Sequence, residues 1–182
     1  MPTAAQPSAK PKKPKSAAAT TKSGKASMRP DDAVTALMTD HRTVEDLFKK
    51  YEAAKDDDAK KQEIFRQIAL ELKVHTRIEE EIFYPASRPF VDEQDTVNEA
   101  VVEHASAKDL MAQIEGMAPS DDYYDAKVKV LQEMIEHHVE EEETEYFPEL
   151  RKSEMDLKAV GEQLKARKTE LMREGRGARG VH

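Results

Sequence analysis

Apolar side chains recur along this chain at alternating steps of three and four residues, the spacing of one face of an α-helix. Val34, Leu37, His41, Val44, Phe48 and Tyr51 form the first stripe, which predicts a helix over 31–54 with Asp31 at its start. The polar break Lys55 to Asp58 precedes a second stripe of Ile64, Ile68, Leu72, His75, Glu79 and Ile82, a helix over about 59–84. Pro85 and Pro89 punctuate the chain after it. A third helix begins near Asp92 or Asp95 and carries Val97, Val101, His104, Ala107, Met111 and Ile114. Gly116 and Pro119 stop it. Ser120 or Asp121 is the expected cap of a fourth helix, with Val128, Leu131, Ile135, His138 and Glu142 on one face. Pro148 is expected to interrupt or end it. Residues 154–173 hold a weaker stripe, Leu157, Val160, Leu164 and Leu171, a fifth C-terminal helix. No strand-like alternation is present. The expected fold is all-α: an antiparallel up-down four-helix bundle plus that fifth helix.

Composition narrows the chemistry. The 182 residues include no cysteine, which removes disulfides, thiolate nucleophiles and Cys-held clusters. Charged residues reach 36%, as suits helices with charged outer faces around a narrow core. No apolar run approaches the roughly 18 residues that span a bilayer. Charge divides the chain. Residues 1–30 carry seven basic side chains and no acid, so against a net −8 for the whole, residues 31–182 carry −15. The first thirty residues, rich in Ala, Pro, Ser and Lys, read as a disordered basic arm. It is a solubilising tail or a contact for an acidic partner, nucleic acid included, although the acidic body repels nucleic acid. The expected organisation is arm 1–30, bundle 31–152, C-terminal helix 153–173 and a loose tail 174–182 marked by Gly175, Gly177 and Gly180. With no secretory h-region and no cysteine, the expected location is the cytoplasm.

The polar members of the apolar stripes carry the chemistry. His41, His75, Glu79, His104, His138 and Glu142 all face the predicted bundle axis. A Glu four residues after a His is turned from it by only about 40° on a helix. Buried carboxylates are costly unless paired or bound to a metal. Imidazole and carboxylate together suit iron, manganese and zinc.

A duplication supports the same conclusion. His41 and His75 are 34 residues apart, as are His104 and His138. An offset of 63 relates His41 to His104, His75 to His138, Glu79 to Glu142 and Pro85 to Pro148. Each copy of a helix pair thus supplies one His and one His-x-x-x-Glu. Folded face to face, the copies gather four His and two Glu with approximate two-fold symmetry. Six ligands crowd a single ion. Two ions bridged by both Glu, each with two His, leave positions for a bridging oxygen, water or an exogenous ligand.

These motifs resemble the haemerythrin-type HHE cation-binding proteins, four-helix bundles with a non-haem di-iron centre. His41 with His75-Thr-Arg-Ile-Glu79-Glu80 matches the first family motif. His104 with His138-Val-Glu-Glu-Glu142-Glu143 matches the second, and Phe83 to Pro85 and Tyr146 to Pro148 fit downstream. The resemblance covers roughly residues 31–150 and implies two non-haem iron ions, oxo- or hydroxo-bridged, with zinc or manganese as other occupants. It departs at one point. Oxygen carriers of the family bear a fifth His four residues after the third-helix His, where this chain has Lys108. That favours oxygen or peroxide chemistry, or sensing, over reversible carriage. The carriers' last carboxylate matches Glu143, but a residue five after His138 turns about 140° away on a regular helix, which favours Glu142 unless a bulge near Pro148 intervenes.

Glu80 and Glu143 are candidates to orient ligand imidazoles from behind. His137 is expected on the surface, and His182 lies in the tail. Phe83, Tyr84, Tyr146 and Phe147 read as end-plugs of the core, and Met38, Met111 and Met134 as filler. The expected function is a di-iron protein that binds or senses oxygen, peroxide or nitric oxide. An enzyme acting on peroxide or oxygen, an iron buffer and a structural metal protein are the competing readings.

Overall fold

The computed structural model describes residues 32–91 and 94–177. The expected arm over 1–30 lies outside them, as does the last part of the tail. Apart from short turns the described residues are helical, with no strand among them.

The first hairpin pairs α1 (Ala33–Ala54) with α2 (Asp58–Ile78). Asp32, one residue later than expected, caps α1 by accepting from the Thr35 N–H at 2.8 Å. Asp57 caps α2 in the same way through the Lys60 N–H at 3.0 Å. Lys55, with φ 47°, makes the sharp turn between them. The chain then widens into a π-helical turn over Glu79–Phe83 and resumes as α3 (Tyr84–Ser87), before a short 3-10 turn at Arg88–Phe90.

The second hairpin repeats this plan. It pairs α4 (Gln94–Glu115) with α5 (Tyr124–Glu141), followed by a π-helical turn over Glu142–Tyr146 and then α6 (Phe147–Lys152). Asp121, expected to cap the fourth helix, accepts from the Ala118 N–H at 2.9 Å and closes the preceding turn instead. Neither Pro85 nor Pro148 ends its helix; of the two outcomes expected at Pro148, interruption is the one seen, as a widened turn just before it. A proline ring collides with the carbonyl four residues back in a regular helix, and the widened turn ahead of each proline moves that carbonyl aside. The ladder there runs five residues back, from the Tyr84 N–H to Glu79 and from the Phe147 N–H to Glu142.

The fifth helix, α7 (Leu157–Gly177), lies against α1 and α2 and buries Val160, Leu164 and Leu171. It continues through Gly175, where a loose tail was expected. A Cβ at Gly175 would come within 2.4 Å of Leu70 Cδ1, so this glycine serves close packing. The stripes are buried nearly as predicted. Val101 is the exception at 39% exposed, with Ala100 buried in its place, because the α4 stripe keeps strict steps of three and four from Val97.

The core falls into two apolar clusters. One holds Leu37, Ile78, Phe83, Tyr84, Tyr146, Phe147 and the apolar face of α7. The other holds Val44, Phe48, Leu72, Met111, Tyr124 and Leu131. Between them, on α1, α2, α4 and α5 alike, sits a belt of buried polar side chains.

Candidate metal centre

That belt contains all six predicted ligand residues. His41, His75, Glu79, His104, His138 and Glu142 are each at most 5% exposed. His41 comes from α1, His75 from α2, His104 from α4 and His138 from α5. Glu79 and Glu142 open the two widened turns, one helical turn after their histidines.

The rings gather in two pairs, each drawn from one hairpin. His41 and His75 stand edge to face at 4.9 Å between centroids, and His104 and His138 at 4.8 Å. The two glutamates cross between the pairs. Glu79 Oε2 lies 3.2 Å from His75 Nε2 and 3.4 Å from His104 Nε2. Glu142 Oε2 lies 3.7 Å from His138 Nε2 and 3.3 Å from His41 Nε2. Candidate ligand atoms of His41, His75, Glu79 and Glu142 fall within 4.8 Å of one another, and so do those of Glu79, His104 and His138.

Three of the imidazoles are hydrogen-bonded from behind by a carboxylate, and the fourth has one nearby. Glu143 takes His41 Nδ1 at 2.8 Å, and Glu80 takes His104 Nδ1 at 3.0 Å. Glu103 takes His138 Nδ1 at 2.8 Å, and Asp40 lies 3.7 Å from His75 Nδ1. These contacts turn the Nε2 atoms of His41, His104 and His138 inward, and His75 Nε2 faces Glu79. Asp40 and Glu103 were not singled out in the sequence. Their signal is there: an acid directly precedes each first-helix His, at the same offset of 63. Cations complete the shell. Arg42 pairs with Glu143, Lys168 of α7 with Asp40 at 2.6 Å, and Lys108 with Glu80 at 2.6 and 2.7 Å. Lys108, at the position of the carriers' fifth His, is therefore engaged outward. His137 is exposed, as expected, beside Glu141 at 3.3 Å.

Burial opposes the charged form of every group here. Against burial, contacts with Glu142 and Glu143 raise His41 to about 9. Burial and then the charge of His138 depress His104 to about 2. Burial and then the charge of Glu142 lift Glu79 well above the carboxylate range. Against burial, His138 and His41 hold Glu142 down at about 2.

A cation relieves this conflict. His41 Nε2, both nitrogens of His75, both oxygens of Glu79 and Glu142 Oε2 are buried without a hydrogen-bond partner among the described residues. At roughly 1–3 kcal/mol for each such atom, six amount to a cost on the scale of a domain's whole stability, about 5–15 kcal/mol. The nitrogen and oxygen donor set fits a borderline or hard transition metal ion.

A small apolar cavity adjoins the rings, walled by Val44, Leu72, Ile135 and Val139 as well as the histidines. It has about 10 Å³ open to the centre of a water-sized molecule, close to the roughly 10–15 Å³ one water requires. A surface groove of about 360 Å³ between α1 and α5 reaches the other side of His41, Val44, Ile135 and Val139. No helix among the described residues is long and apolar enough to cross a membrane.

Comparison with known proteins agrees with this geometry. The solved structure of a haemerythrin HHE cation binding domain-containing protein from Mycobacterium kansasii superposes with a TM-score of 0.66 at 24% identity, covering 77% of this chain and 86% of that one. At that identity it shows the shared fold. A DNA nickase from Nostoc sp. (strain PCC 7120 / SAG 25.82 / UTEX 2576) is 35% identical over 115 residues. The match takes in 63% of this chain but only 32% of the nickase, so the chain spans about a third of that relative's length. The family described as Hemerythrin HHE cation binding domain matches residues 32–150. With that match over more than half its length, the chain belongs to the haemerythrin HHE cation-binding family.

Proposed function

We propose that this protein holds two iron ions through His41, His75, Glu79, His104, His138 and Glu142, and uses them to bind or sense a small oxygen-derived molecule or nitric oxide. The observation that carries the reading is the set of inward, buried nitrogen and oxygen atoms left without partners. Bound iron would supply redox chemistry toward such ligands. The chain's own residues supply the rest. Glu143, Glu80 and Glu103 fix three of the imidazoles, and Asp40 lies behind the fourth. Val44, Leu72, Ile135 and Val139 exclude bulk water and limit the guest to a few atoms. The Tyr84 phenol holds a proton 3.0 Å from Glu142 Oε1.

The test is anaerobic Fe(II) loading, an iron count per chain, and a visible spectrum as air, peroxide or nitric oxide is admitted. Two irons and a spectral response are expected. One iron or none removes the two-ion reading, and two irons with no response removes the small-molecule role. A band lost on degassing would indicate reversible carriage. Sustained peroxide consumption, abolished in His75→Ala, would make the protein an enzyme.

A second reading comes from the DNA nickase relative. The −15 carried by residues 31–182 opposes approach to a polyanion, and the seven basic side chains of residues 1–30 favour it. Relaxation of supercoiled plasmid by the iron- or manganese-loaded full chain would support this reading, and an intact plasmid removes it.

A further inference from the structure

The duplicated site is not symmetric: the aromatic pair before each proline is Phe83-Tyr84 in the first copy and Tyr146-Phe147 in the second, and the second member of each pair lies against a ligand residue. Tyr84 and Phe147 are related by the offset of 63 that relates the glutamates. Tyr84 Oη donates a hydrogen bond to Glu142 Oε1 at 3.0 Å, and its ring lies 5.7 Å from that of His104. Phe147 has no hydroxyl and stacks on His41 at 5.8 Å with planes 9° apart. The two glutamates are left unlike. Both oxygens of Glu79 are without a partner, whereas Glu142 has only Oε2 free. The free oxygen lies nearer His41 Nε2, at 3.3 Å, than His138 Nε2, at 3.7 Å. The ligand groups divide accordingly: four residues, His41, His75, Glu79 and Glu142, against three, Glu79, His104 and His138. Lys108, turned outward to Glu80, adds nothing to the three.

Building on the two-ion reading, we infer that Tyr84 is a positioning residue that ties down one oxygen of Glu142 and so makes the two metal positions unequal. Glu79, with both oxygens unpartnered, would be available to both positions, and Glu142 would offer one oxygen to the His41/His75 position. That position is closed by four residues, and the His104/His138 position, with three, is the one open to an exogenous ligand. This replaces the symmetric expectation that both glutamates bridge alike.

The test is a Co(II) titration of the metal-free full chain, followed by visible absorption and calorimetry. The wild type is expected to load in two steps separated by about tenfold or more, the scale on which groups behind the ligands act. His75→Ala should remove the tighter step and His104→Ala the weaker. Tyr84→Phe places at this position the residue its repeat partner already has, and should draw the two steps together. Phe147→Tyr restores symmetry from the other side by giving Glu79 a phenol, and covers the case in which Tyr84→Phe does not fold. Two equal steps in the wild type, loss of the tighter step in His104→Ala, or an unchanged separation in a folded Tyr84→Phe or Phe147→Tyr would each overturn the inference. A wild type that takes up no metal would overturn the two-ion reading itself.

Discussion

Glu80 and Glu143 show how much of this site rests on residues that would never touch an ion. Each fixes an inward-facing imidazole and is fixed in turn by a cation, Lys108 or Arg42. Glu80→Gln and Glu143→Gln are each expected to weaken metal binding by about 10–100-fold while leaving the fold intact. Competition with a coloured chelator, alongside circular dichroism, checks this. At this scale the inward-facing side chains were legible because a helix converts spacing into direction. His75 and Glu79 share a face whatever surrounds them, and the repeat says so twice. Glu142 keeps the His138 face expected of it, since the widened turn begins at Glu142 rather than before it. The partners behind the rings were less legible. Glu103 is 35 residues from His138 in sequence, and Glu143 is 102 from His41. Only folding brings such pairs together. The second contact of Tyr84, expected as an end-plug, was hidden for a related reason. Its ring does belong to the apolar core, and only its hydroxyl reaches Glu142.

Among the elements, the four bundle helices were visible as stripes, and the widened turns were not. A π-helical turn keeps apolar residues apolar and shifts only their direction, so the pattern on either side of Glu79–Phe83 still reads as one helix. How the chain passes each proline without stopping was hidden for that reason. α7 was visible, but its purpose was not: Lys168 reaches Asp40 at 2.6 Å and Glu71 at 3.5 Å, placing the fifth helix behind His75. Lys168→Ala should weaken the tighter Co(II) step several-fold and spare the weaker one, in the same titration. At the far end, Asp125 ties three helices together. It accepts from Tyr51 at 2.6 Å and pairs with Lys61 at 2.8 Å. Burial tends to raise its pKa, but Lys61 and Tyr51 outweigh this and lower it. A carboxylate lowered in this way stabilises the fold above its unfolded pKa, about 3.9, and loses that contribution as pH falls through the folded value. Asp125→Asn should therefore lower Tm at pH 7, at about 2–4 °C per kcal/mol in a domain of this size, and the gap to wild type should close on acidification. Thermal melts across pH check both halves.

For the molecule as a whole, the polar belt means that the two apolar clusters meet across charges rather than across a continuous core. An ion that binds the folded state alone stabilises it by mass action, about 2.7 kcal/mol at a hundred times its Kd. Metal loading is therefore expected to raise Tm by roughly 5–10 °C, and chelation to reverse the rise. Deleting residues 1–30 should change neither the metal count nor the melting temperature, because every candidate ligand lies between His41 and Glu142. The widened turns also decide what either half can do alone. Both hairpins carry one at the same place, each opened by a glutamate and followed by a proline. Each glutamate reaches a histidine of the opposite hairpin, so neither hairpin gathers the six side chains by itself. The centre is complete only where the two halves of the chain meet.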